Sequence, residues 1–278
     1  MEKKRIYIVA KTYPTISKKY AELVCTAGIL EDGSWIRLYP IPFNTLAEEQ
    51  KYPKYTWINV KITRNTADNR FESYRPDLST IDVEEKSKKT NWDVRRRIIF
   101  KNKKIYTNFD ELLSKKNKDG TSLAVFKPTK IKNFITASTT NEWDSDKLEH
   151  LEMESKQLDL FLTPEEIKKQ FRVVPKVPYK FYYQFEDETG KLHKLMILDW
   201  EIGMLYIKCL NIAKGDKETA ILKVKEKYYD TFIKNDLHFF LGTSRAHHAR
   251  APNPFMIIGV FYPPLTTPDP QMNLFDME

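Results

Sequence analysis

The chain has 278 residues, 41% of them hydrophobic and 13% aromatic, enough for a sizeable aromatic-rich core and too many for wholesale disorder. Its net charge of +8 is one-sided: residues 1–135 hold 28 basic and 16 acidic side chains, whereas residues 136–278 hold 18 and 22, so a polyanion is the expected partner of the first part. Eight scattered glycines form no phosphate-cradling motif, and two cysteines form no C-x-x-C pair, so no nucleotide cofactor, metal site or disulfide framework is expected.

In chain order, the first third reads mainly as strands. Arg5 to Ala10 is a β-rich run, and Leu23 to Leu30 pairs across an Asp32-Gly33 turn with Ser34 to Tyr39. The last of these alternates, with Trp35 and Arg37 on one face and Ile36 and Leu38 on the other. Thr56 to Thr63 alternates too, with Trp57 opposite Ile58, Val60 and Ile62. Two short helices follow, one from Thr90 and Asp93 to Phe100 and one capped by Thr107 or Asn108. Ser122 to Phe126 and Lys130 to Ile135 return as strands.

Residues 138–162 are polar and acidic with a helix from Asp144 to about Lys156, and they mark the expected boundary. Thr163-Pro164-Glu165-Glu166 then reads as a helix start. Tyr179 to Phe185 and Leu192 to Leu198 are strands around a turn at 187–190. Asp199 caps a helix with Ile202, Leu205, Tyr206 and Cys209 on one face, and a second helix runs from about Lys217 to Lys234. Leu237 to Leu241 and Phe255 to Tyr262 close the fold ahead of a Pro-rich tail. The expected division is 1–137, a basic β-rich domain; 138–162, a linker with a helix; 163–264, a second α+β domain; and 265–278, a free tail. The fold class is α+β with small curled sheets, since regular βα alternation is missing. The apolar runs Ile6 to Ala10 and Met256 to Tyr262 are too short for a signal peptide or a membrane span, so a cytoplasmic protein without a membrane partner is expected.

Val24-Cys25-Thr26-Ala27-Gly28-Ile29 followed by Gly33-Ser34-Trp35-Ile36-Arg37 resembles the opening of the dual OB-containing domain family. Ser122-Leu123 with Lys127-Pro128, and Phe240-Leu241-Gly242-Thr243-Ser244-Arg245, are similar to later landmarks of that family. The chain departs from the pattern at Leu38-Tyr39-Pro40, where an Arg-Pro pair is expected. The resemblance implies two small OB-like barrels with connecting helices, in bacterial proteins associated with nucleic-acid modification and defence.

The residues point to nucleic acid on their own account. OB-type barrels bind single strands through a basic groove with aromatic platforms. Trp35, Arg37 and Tyr39 share a strand face; Arg64, Arg70 and Arg75 lie in or beside the next loop; and Arg95, Arg96 and Arg97 sit in the most basic stretch, Lys86 to Lys104. Arg245, His247 and His248 form a second basic loop. Those of the N-terminal half are expected to line one continuous track, with salt-bridge or core roles as the alternative reading, and the second loop is expected to approach phosphates or a stacked base. Gln157-Leu158-Asp159-Leu160-Phe161 and Gln271-Met272-Asn273-Leu274-Phe275 resemble the peptide by which bacterial polymerases dock on the sliding clamp, with Gln157, Leu160, Phe161, Gln271, Leu274 and Phe275 as anchors. A catalytic alternative, a metal-dependent nuclease or base-modifying enzyme, rests on Asp187, Glu188, Asp199 and Glu201, although Asp199 and Glu201 also suit a helix start. A third alternative is a protein-interaction scaffold.

Overall fold

β1 (Glu2–Lys11) is apolar on both sides from Ile6 to Ala10, and both sides are buried. Its Ile6 and Ile8 point into a small barrel, whereas Tyr7, Val9 and Ala10 point outward into a second packed layer. The computed structural model from which this is read describes residues 1–16, 23–84, 91–140, 142–158 and 175–265.

The barrel is built from β1, β2 (Val24–Leu30), β3 (Trp35–Ile41), β4 (Trp57–Arg64) and β5 (Ser73–Pro76), in the order β1-β2-β3-β5-β4. It closes where Glu2–Tyr7 pairs antiparallel with Trp57–Ile62. β3 and β5 run parallel, the other neighbours antiparallel. The two-residue β6 (Asp82–Val83) adds to β4. The alternation in β4 is clean, with Ile58, Val60 and Ile62 inside and Trp57 outside, as period-2 burial requires. The Asp32-Gly33 turn joins β2 to β3, with Gly33 at φ 89°, a conformation that favours glycine.

The second sheet holds β7 (Ile105–Tyr106), β8 (Leu123–Phe126), β9 (Lys130–Ser138), β10 (Tyr179–Glu186), β11 (Leu192–Ile197), β12 (His238–Thr243) and β13 (Phe255–Phe261), in the order β7-β8-β12-β13-β11-β10-β9. Within it, β9-β10-β11-β13-β12 repeats the barrel's path: an antiparallel meander, a parallel third-to-fifth contact, then an antiparallel return. The repeat is OB-like but open. β8 pairs with the edge of β12 that would otherwise meet β9. The mixed α+β fold with two OB-like sheets and connecting helices is therefore the observed architecture. Strands β7 to β9, which lie before residue 138 and were expected in the first domain, pair in the second sheet.

Both faces of this second sheet are covered, which explains the nearly continuous apolar runs in β8, β12 and β13. One face packs on α4 (Trp200–Ile212) and α5 (Lys217–Lys225), inserted between β11 and β12, through Ile202, Tyr206, Val224 and Tyr228. The other face, through Leu123, Val125, Phe240, Ile258 and Phe261, meets the outer side of the barrel at Tyr7, Val9, Ala27 and Ile29. The helix read over 217–234 changes pitch: a π turn over Glu226–Thr231 and a 3-10 turn over Phe232–Lys234 follow α5, and the Tyr228 carbonyl accepts from the Tyr183 hydroxyl there.

The remaining helices carry their caps. α1 (Trp92–Phe100) is capped by Asn91 rather than by Thr90, which lies outside the described residues. α2 (Phe109–Asp119) is capped by Asn108 and ends on Gly120 in the left-handed conformation. α3 is Ser145–Leu158, and the helix start at 163–166 lies outside the described residues. Among the described residues no helix is long and apolar enough to cross a membrane.

Where the chain leaves β1, Tyr13 hydrogen-bonds the Pro175 carbonyl at 2.7 Å and lays its ring against Gly203 of α4. A Cβ at Gly203 would collide with that ring. Gly203→Ala should lower unfolding free energy in urea by about 1–3 kcal/mol, the usual cost of overpacking, and Tyr13→Ala in the same background should recover part of it. An unchanged midpoint for Gly203→Ala would show that the ring does not bear on the helix.

Candidate nucleic-acid interface

Arg37 sits at an outward position of β3, yet it is only 2% exposed, because the second sheet covers that face. Its Nη2 donates to the Ser122 Oγ at 2.9 Å and lies 3.4 Å from the Glu72 carboxylate, while Nη1 donates to the Cys25 Sγ at 3.3 Å. Ser122 in turn donates to Glu72. One loop away, Arg70 donates through Nε to Asp68 at 2.9 Å, and its Nη1 reaches across to the Thr243 carbonyl at the end of β12. Both arginines are thus bolts between the barrel and the second sheet.

Between these bolts lies a cavity of about 220 Å³. Its barrel wall includes Thr12, Cys25, Arg37, Tyr39 and Arg70, from β2, β3 and the segments after β1 and β4. Its opposite wall includes Leu198, Thr243, Arg245, Met256 and Ile258. Tyr39 is half-buried; burial raises its phenol, while Arg245 and Arg70 nearby oppose the rise. Arg245 is exposed and has no hydrogen-bond or ion-pair partner among the described residues. His248 is buried against the Thr243 hydroxyl at 2.9 Å, and burial lowers its pKa, with Arg70 adding to the effect. His247 and Arg250 are exposed beside it.

The other expected cations lie elsewhere, and the single track does not form. Arg64 is half-buried and donates to the Asn65 and Ser73 carbonyls, and Arg75 donates to the Asn65 side chain at 3.1 Å. Arg95 lies over the rings of Tyr55 at 4.5 Å and Trp92 at 4.7 Å. Arg96 pairs with Asp236 at 2.7 Å. Trp35 is half-buried, set edge-on to Phe240 and covered by Lys103 at 4.9 Å. Burial lowers the Lys103 pKa to about 8, with Asp32 opposing. Arg97 alone of its triplet is exposed, facing a groove of about 380 Å³ shared with Arg5, Trp57 and Lys101.

The carboxylates of the catalytic alternative stand at opposite ends of β11. Asp187 is a turn centre, accepting from the amides of Phe109, Thr189 and Lys191 and from His193 at 3.0 Å. Burial alone would raise its pKa, but these bonds hold it well below the usual carboxylate range. Glu188 is exposed and accepts from Thr107. Asp199 is buried at the α4 cap, where desolvation raises it, and Glu201 is exposed 3.4 Å from Lys54. Among the described residues no three His, Cys, Asp or Glu side chains are grouped as metal ligands. Leu160, Phe161, Gln271, Leu274 and Phe275 lie outside the described residues, and Gln157 falls in the last turn of α3.

Residues 106–278 match the family model described as domain of unknown function DUF8757. The chain belongs to that family. Residues 2–101 match a second model, domain of unknown function DUF8758. The two matches meet between α1 and β7, where sheet membership changes. No curated protein matches the chain. Among solved structures, a murine DNA-binding protein bound to double-stranded DNA aligns over 97% of this chain and 99% of its own, at 11% identity and a TM-score of 0.31.

The loop acids Asp68, Glu72 and Asp77 also read as the makings of an internal salt-bridge web, and Asp68 does pair with Arg70; Ser73, which donates to Asp68 at 2.9 Å, carried no sequence signal. Burial would raise the Asp68 carboxyl, but hydrogen bonds from Arg70 and Ser73 hold it well below the usual carboxylate range. The stability it contributes is therefore present above the unfolded value near ~4 and is lost as pH falls through the depressed folded value. Asp68→Asn should weaken the fold at neutral pH and flatten the acid limb of unfolding free energy below about pH 4. Parallel acid limbs in the two proteins would remove Asp68 from the account.

Proposed function

We propose that this protein binds nucleic acid, single-stranded DNA foremost, along the seam between its two OB-like sheets, as an accessory in DNA modification, repair or phage defence. The observation that carries the reading is the position of the cavity. OB barrels take oligonucleotides on the strand 2–3 face, flanked by the loops after strands 1 and 4. Cys25 of β2, Arg37 and Tyr39 of β3, Arg70 of the β4–β5 loop and Thr12 after β1 line the cavity from that face. The second sheet contributes Arg245 from its own corresponding loop. Arg245, His247 and Arg250 are exposed at this end of the sheet and offer phosphate contacts, and Tyr39 offers an aromatic face beside them.

The resemblance to the dual OB-containing domain family agrees with this reading, and the repeated strand order supports it. The two Q-[LM]-[DN]-L-F peptides add a proposed route to DNA by docking on the sliding clamp. The metal-dependent nuclease reading is weaker, because Asp187 and Asp199 stand at opposite ends of β11, Asp187 accepts three backbone amides, and one Asp199 oxygen accepts the Glu201 amide as a helix cap.

The test is a salt titration of oligonucleotide binding followed by fluorescence anisotropy. Log affinity for a single strand should fall linearly with log salt, by about 0.7 per phosphate contacted, and Arg245→Ala should weaken binding and remove about one such increment. Absence of binding at low salt, or a slope of zero, rejects the reading. In the same preparation, deleting residues 268–278 should abolish capture by the sliding clamp and leave oligonucleotide affinity intact; unchanged capture rejects the docking peptide.

A further inference from the structure

We infer that the seam cavity is a reading pocket for one unstacked nucleobase, with Arg245 at its rim for the adjoining phosphate. This rests on the nucleic-acid reading and deepens it to a single nucleotide subsite. Three features of the cavity define the ligand. Its volume, about 220 Å³, is below the ~300–1,000 Å³ of pockets for drug-sized ligands, and suits a single ring system. Leu23, Leu198, Met256 and Ile258 give it apolar walls, the environment in which flipped bases are held between side chains. And Arg245, exposed at its rim, has no hydrogen-bond or ion-pair partner among the described residues.

That last feature is the informative one. The other two arginines of the lining are engaged within the fold, Arg37 with Glu72, Ser122 and Cys25, and Arg70 with Asp68 and the Thr243 carbonyl. Arg245 differs from both in being exposed and without a partner among the described residues, so a phosphate can reach it. A base alone would leave Arg245 idle, and a phosphate alone would leave the apolar walls unfilled. A nucleotide uses both.

The experiment compares the four deoxynucleoside 5′-monophosphates with deoxyribose 5-phosphate, which lacks the base, by calorimetry on the full chain. At least one monophosphate should bind tenfold or more tightly than the sugar phosphate. Filling the rim by Thr15→Trp should weaken that monophosphate at least tenfold and weaken a single-stranded oligonucleotide at least fivefold, while leaving its salt slope unchanged. Cys25→Met, which fills the cavity from β2, should act in the same direction and guards against a folding defect in the first variant. Equal binding of monophosphates and sugar phosphate, or monophosphate binding untouched in both variants, overturns the pocket while salt-dependent oligonucleotide binding keeps the broader reading. Failure of oligonucleotides to bind at all overturns both.

Discussion

The fold depends on two buried guanidinium groups that join its halves. Arg37 and Arg70 both leave the barrel, and both end on atoms of the second sheet region: the Ser122 hydroxyl and the Thr243 carbonyl. Each brings its own counter-charge, Glu72 or Asp68, from the β4–β5 loop. Such pairs add little net stability over apolar side chains of the same shape, but losing one partner strands a buried charge at a cost of about 3–5 kcal/mol. Their effect is therefore on register. The apolar seam of Tyr7, Val9, Ile29, Val125 and Phe240 would tolerate sliding. The arginine bolts, whose hydrogen bonds demand fixed angles, would not.

Repetition of one strand order explains where the cavity falls. In both units the third and fifth strands run parallel, so the loop between the fourth and fifth strands enters the sheet beside the third: Ser73 sits opposite Arg37, and Ile257 opposite Ile197. In the barrel that loop carries Asp68 and Arg70; in the second unit it carries Arg245, His247 and His248. Contact between Arg70 and Thr243 brings the two loops together. The second unit stays open because β8 occupies the free edge of β12, and the same strand supplies Leu123 and Val125 to the seam. Closure was given up in one unit to build the surface that holds the other.

Much of this was legible in the sequence, and for identifiable reasons. Strands and caps were readable where a single physical rule governs them: period-2 burial in β4, the Asp-Gly turn, Asn108 and Asp199 at helix starts. The two-unit, OB-like character followed from motifs on β2, β3 and β12. The point at which one sheet gives way to the other was not readable, because β7 to β9 look like a continuation of the strand-rich first third. The β12 partner of β8 lies more than a hundred residues downstream and the β10 partner of β9 lies beyond the α3 segment, and no local pattern encodes which edges they join. The sites were harder still. An arginine at an outward strand position reads as solvent-facing, and Arg37 is buried only because a second sheet lies over it.

The same reasoning accounts for the missing basic track. A positive side chain in sequence is a free charge only if the fold leaves it no ring, carboxylate or carbonyl to meet. Arg95 meets Tyr55 and Trp92, Arg96 meets Asp236, Arg64 meets the carbonyl of Ser73, and Lys103 covers Trp35 while donating to Gly33. Aromatic residues interleaved with arginines thus suit a fold that ties its own surface helix down as well as they suit a nucleic-acid groove. Once these internal pairings are removed, the exposed arginines Arg97, Arg245 and Arg250 stand out, and Arg97 and Arg245 each line a concavity. The concavity beside Arg245 lies on the seam between the two sheets, where Arg37 and Arg70 are engaged and Arg245 has no partner among the described residues.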